Sequence, residues 1–169
     1  IPFSDILVSM KLTTSSIKIP IGVSACLLGE KVRFDGGHKH DAYLTDTLGP
    51  YFDYVPVCPE VGCGLSVPRE SMHLVGTPEN NRLIGNKTGT DYTEQMRSFC
   101  DRTVEALKDK GLHGFIFKAK SPSSGLFRVT LYTSDGNPTT EHTSGIFART
   151  FVRAFPSLPC EEDGRLHDP

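Results

Sequence analysis

Several features that would assign a chain at sight are missing here. No apolar run approaches the roughly 20 residues of a membrane-spanning helix, so a membrane partner is not expected. There is no Cys-x2-Cys and no histidine pair at zinc-finger spacing, and no Gly-x-Gly-x-x-Gly run follows the first apolar segment. Ready-made zinc and dinucleotide sites are therefore poorly supported. Charge of one sign is also lacking. Net charge is -2 and the pI is near 6.3, so composition does not describe a polyanion binder. A nucleic-acid partner would need a local basic patch. One candidate exists, where Lys31, Arg33, His38, Lys39 and His40 crowd a single glycine-rich loop. The competing reading of that loop is solvated charge. Five cysteines are an odd number with no secretory signal ahead of them. That predicts a reducing, cytoplasmic setting and argues against a disulfide framework.

The chain has 169 residues, 37% of them hydrophobic, and a mean hydropathy of -0.24. These values suit one globular domain with a sizeable core. Residues 1–18, which begin at Ile1 and hold an internal Met10, are read as an extension outside the functional domain, 19–169. Within that domain, Ile19 to Ala25 and Phe52 to Val57 are short apolar runs of the kind buried on both faces of a sheet, although Pro56 is awkward for a central strand. A short helix is predicted from Asp41 to Leu48. Met72 to Val75 and Arg82 to Ile84 predict a small hairpin annex. The strongest helix runs from about Asp91 to Lys110, with Met96, Phe99, Cys100, Thr103, Val104 and Leu107 at three- and four-residue intervals. Asp91 with Glu94 resembles a capping box, and Gly111 supplies the stop. Strands at Gly114 to Lys120 and Phe127 to Tyr132 follow, then a helix from Ser144 to Phe155. Strands alternating with helices predict an α/β layered domain with a mainly parallel sheet flanked by helices.

Three of the predicted strands end in residues suited to chemistry. The first ends at Cys26, the second at Cys58-Pro59-Glu60, and the third at Lys120-Ser121-Pro122-Ser123-Ser124-Gly125. If the strands are parallel neighbours, their carboxyl ends converge on one crevice, where α/β folds place ligands. One free cysteine there is more often a core filler, but two on matching strand ends weigh against that. Cys100 lies on the apolar face of the strongest helix and is read as core, and Cys160 has no visible partner. Cys58 and Cys63 form a Cys-x4-Cys pair without the rest of any cluster pattern. Glu60 is a candidate to position or deprotonate water beside a metal or thiolate. The backbone amides of the Ser121–Ser124 turn are candidates to cradle an anion.

Several blocks taken in order resemble the TudS-type thiouracil desulfidase family. They are Val23-Ser-Ala-Cys-Leu-Leu-Gly29, Arg33-Phe-Asp-Gly-Gly-His-Lys39, Val57-Cys-Pro-Glu-Val61, Gly64-Leu-Ser-Val-Pro-Arg69 and Lys120-Ser-Pro-Ser-Ser-Gly125. The resemblance continues through Gly145-Ile-Phe-Ala148 and Phe155-Pro156. It implies a [4Fe–4S] cluster held by three cysteines with one iron open. The matching positions here are Cys26, Cys58 and Ser124, so the third ligand position carries a hydroxyl in place of a thiol. The rest of the motif is intact, as a single cysteine-to-serine replacement would leave it. Glu60 and Ser121 match the family's catalytic glutamate and serine. Arg33, His38, Lys39 and Lys120 are the expected substrate contacts. Residues 161–166 resemble the junction where some relatives continue into a helical domain and act on 4-thiouridine in tRNA, so a further domain is expected after this one.

The chemistry implied is replacement of C=S by C=O in thiolated uracil, free or as 4-thiouridine in tRNA, without redox change. A soft thiocarbonyl sulfur suits the open iron, Glu60 activates water, Ser121 places it or relays a proton, and sulfide leaves as hydrosulfide. Serine is a harder and far less acidic ligand than cysteine, so this chain is expected to lack the cluster or hold it damaged, with little activity. Two other readings compete. One is a cluster-free module binding thiolated RNA through the basic loop. The other is a zinc- or anion-binding α/β domain using Cys58 and Cys63.

Overall fold

The computed structural model describes residues 17–167. Its first sheet contains β1 (Ile19–Ser24), β2 (Phe52–Val57), β5 (Phe115–Phe117) and β8 (Cys160–Glu162), in the order β2-β1-β5-β8. Every pairing in it is parallel, with Ser24 opposite Val57, Val23 opposite Ile116 and Phe117 opposite Glu162. The parallel arrangement explains the composition of β1 and β5. Both faces are covered, so Ile21, Val23 and Phe115–Phe117 are all buried. Pro56 proves harmless because β2 is an edge strand, where a missing N–H costs no ladder bond on the open side. Gly22 lets β5 close on β1, since a Cβ there would lie 2.2 Å from the Phe115 ring.

The predicted hairpin annex is half of a second sheet. Here β3 (Met72–Gly76) and β4 (Asn81–Gly85) pair antiparallel, β3 pairs β6 (Val129–Tyr132) in parallel, and β6 pairs β7 (Pro138–Thr143) antiparallel. The run at Phe127 to Tyr132 thus contributes to this mixed sheet.

Among the described residues three α-helices complete the fold: α1 (Pro59–Gly62), α2 (Thr93–Leu107) and α3 (Ile146–Ala154). In α2, Met96, Cys100, Val104 and Leu107 are buried, while Phe99 and Thr103 are half-buried at the edge of that face. Asp91 Oδ1 accepts the Thr93 amide at 2.9 Å from one residue ahead of the N-cap, Tyr92, which makes no side-chain cap bond. This single bond stands in place of the expected capping box, and Gly111 ends the following 3-10 turn at φ 60. The predicted helix at Asp41 to Leu48 is a short π-type stretch over Tyr43–Leu48.

The main core lies between the two sheets and around α2 and α3. Phe115 and Phe117 stack at 4.2 Å between ring centres, and Phe147 and Phe151 pack onto them. Each such ring contributes roughly 1.5–3 kcal/mol on burial. A smaller cluster of Ile21, Val23, Leu27, Leu44 and Ile116 covers the other face of the first sheet. The carboxyl ends of β1, β2 and β5 therefore share one side of the molecule, fixed by packing on both faces.

Candidate active site

Each of the three strand ends turns sharply. After β1 the chain enters a 3-10 turn over Ala25–Leu28 that carries Cys26 and is closed by Gly29 at φ 93. After β2, Cys58 is the N-cap of α1, with Pro59 preset for the first helical position and Glu60 in the first turn. After β5, residues 118–125 form a tight loop. Gly125 N–H donates to Ser121 O at 2.8 Å, and Ser121 Oγ accepts the amides of Ser123 at 3.3 Å and Ser124 at 3.1 Å. The first amides of α3 fasten this loop from outside, with Phe147 N–H donating to Ser123 O at 2.8 Å. Gly145 permits that approach, because a Cβ there would lie 2.4 Å from the Ser123 carbonyl carbon.

The three ends line a single cavity of about 420 Å³, which collects Cys26, Cys58, Glu60, Ser121 and Ser124. Arg33, Lys39 and Lys120 of the expected substrate contacts also line it, whereas His38 does not. His38 is exposed, and its Nδ1 accepts the His40 amide at 3.1 Å. Arg69 holds the glycine-rich loop in place, donating from its amide to Phe34 O and from its guanidinium to Val32 O, both at 2.9 Å.

Three residues in or beside the cavity were not legible as site residues. Ser123 is fully buried and donates to Glu60 Oε1 at 2.6 Å. Lys118 lines the cavity and pairs with Asp163 at 3.0 Å, while the other oxygen of Asp163 accepts the Ala119 amide at 2.7 Å. Only the tight serine turn itself signalled Ser123, and nothing local signalled the pairing of residues 118 and 163.

Two sequence expectations need correction. The amides of Ser123, Ser124 and Gly125 are all satisfied within the loop, so they are not free to cradle an anion. Cys63, at the far end of α1, donates its thiol to Glu60 O at 3.2 Å and packs against the main core. It is not among the residues lining the cavity, so it does not join Cys58 in a zinc pair. Among the described residues, no group of three or more His, Cys, Asp or Glu side chains is placed to hold a metal ion.

The cavity favours neutral thiols. Burial, and then the Glu60 carboxylate, push Cys58 up to about 12, with the Cys58 thiol 3.5 Å from Glu60 Oε2. Burial and Glu60 also raise Cys26, against the opposing pull of Lys118 and Arg33. A [4Fe–4S] group would supply the positive charge needed to deprotonate both. The donor set present is nevertheless short of such a group. Such clusters are held by cysteine thiolates, generally four, and the cavity offers two thiols and the hard Ser124 hydroxyl, so the residues as they stand do not fit it.

The fold is a parallel α/β domain whose adjacent strand ends gather two thiols, a carboxylate and a serine-rich loop at one cavity. The chain belongs to the 2-thiouracil desulfurase family, whose model matches residues 21–163. It is similar to a solved structure described as a [4Fe–4S]-dependent thiouracil desulfidase, TudS. The two are 26% identical with a TM-score of 0.69, over 88% of this chain and 93% of that one. It also resembles the uncharacterized protein YbbK of Bacillus subtilis (strain 168). That match is 30% identical over 108 residues, or 61% of this chain and 71% of YbbK. Among the described residues no helix is long and apolar enough to cross a membrane.

Proposed function

We propose that this crevice is built for non-redox desulfuration of a thiolated uracil, releasing hydrosulfide, and that Ser124 leaves this chain without a stable cluster and with little turnover. The observation that carries the reading is the convergence of Cys26, Cys58 and Ser124 on the cavity into which Glu60 is held. Glu60 is the group available to take a proton from water, since the thiols beside it stay neutral unless a metal is bound. Arg33, Lys39 and Lys120 give the walls positive charge that suits an anionic sulfide product or a nucleotide substrate. His38, outside the cavity, is left for contacts beyond the base.

Free thiouracil and 4-thiouridine in tRNA are both within this proposal, and the cations around the opening favour neither alone. The test is anaerobic reconstitution of the Ser124→Cys variant, then assay with 4-thiouracil and with tRNA containing 4-thiouridine. Turnover by the variant and little by the present chain is expected. A variant that desulfurates neither substrate would end the desulfidase reading. Binding of thiolated RNA that persists without Cys26 and weakens steeply with salt would favour the RNA-binding module instead.

A further inference from the structure

Ser123 is the one hydroxyl in the loop that touches Glu60, and its hydrogen bonds leave it a single orientation. Its proton is committed to Glu60 Oε1 at 2.6 Å. It must therefore accept from Ser121 Oγ at 3.0 Å and from Ser124 Oγ at 3.3 Å. Ser121 is constrained in turn. Its oxygen already accepts the amides of Ser123 and Ser124, so its one proton points at Ser123. The hydrogen-bond chain runs one way, from Ser121 and Ser124 through Ser123 to the carboxylate.

We propose that Ser123 is the positioning residue that holds the Glu60 carboxylate in the crevice, and that Ser121 acts on Glu60 through it. Glu60 stands on a helix of four residues whose own bonds do not fix the side chain. A fully buried donor at 2.6 Å does, from the opposite strand end. Charge-assisted hydrogen bonds of this kind are the short, strong ones. The second oxygen of Glu60 is then turned toward Cys58, which is the geometry that lets one carboxylate serve both the thiol and water.

The proposal rests on the desulfidase reading only for its kinetic arm. In the chain as it stands, the infrared carboxylate stretch of Glu60 is assigned by its loss in Glu60→Gln. It should shift in Ser123→Ala and shift less in Ser121→Ala, which leaves the direct bond in place. In the reconstituted Ser124→Cys protein, Ser123→Ala should lower kcat by about tenfold or more with KM changed less than about twofold. An unmoved Glu60 band in Ser123→Ala overturns the proposal, whatever happens to the rate. So does a moved band with unchanged kcat. If Ser124→Cys has no turnover, the desulfidase reading fails and the infrared result alone decides the role of Ser123.

Discussion

Glu162 offers the sharpest test of how the loop after β5 is held. Its side chain is buried at 6% exposure, and its Oε1 accepts the amides of Leu126 at 2.9 Å and Phe127 at 3.0 Å. Both bonds end on the same oxygen, so Glu162→Gln can keep both and lose only the charge assistance. That should cost about 1 kcal/mol. Glu162→Ala removes the acceptor altogether. Leu126 is buried, so its amide bears the full penalty of an unmade bond, while Phe127 is exposed and its amide can turn to water. The sum is about 2–4 kcal/mol, or a fall in Tm of roughly 4–16 °C for a domain of this size. Urea and thermal unfolding of the two variants measure the totals, and hydrogen exchange should show residues 121–127 opening first in Glu162→Ala. Equal losses in the two variants, or an alanine variant within about 0.5 kcal/mol of the parent, would refute the account of this anchor.

Two further outcomes are expected. Burial pushes Cys100 up to about 12 and Cys160 up to about 11, from an ordinary thiol value of 9.0, so the folded chain holds protons that the unfolded chain releases between those limits. Stability is then fully present below about pH 9 and falls as pH rises toward 12. Cys100→Ala, though less stable at pH 7, should show a shallower alkaline loss in urea titrations. Gly145→Ala places a Cβ 2.4–2.7 Å from the backbone of Ser123 and Ser124, with no left-handed φ to complicate the reading. It should cost about 1–3 kcal/mol in urea unfolding, and a neutral result would mean that α3 does not press on the loop as described.

The site was legible where local sequence carries the signal. A buried parallel strand is an apolar run, and its chemistry follows at the turn, so Cys26, Cys58, Glu60 and Ser124 could be placed from the sequence. Each sheet keeps one strand that was not legible. β7, in the second, is Pro-Thr-Thr-Glu-His-Thr and β8, in the first, only Cys-Glu-Glu, and neither shows the apolar alternation that marks a strand. Both are stabilised by their pairing partners. The contacts that set up the chemistry are longer-range still. Ser123 meets Glu60 across 63 residues and Asp163 meets the Ala119 amide across 44, with no pattern at either end to announce it. Ser121 was expected to place water or relay a proton, and it does line the cavity; what the sequence did not show is that its hydroxyl also organises the loop and touches Ser123, the donor to Glu60.

The claim at the centre of this account is that Ser124 stands where a third soft ligand belongs. Iron and acid-labile sulfide, measured per chain after identical anaerobic reconstitution of the present chain and its Ser124→Cys variant, test it most directly. About four of each is expected in the variant, with well under half that in the present chain. Equal, full occupancy in both would contradict the claim and show that some other group completes the site.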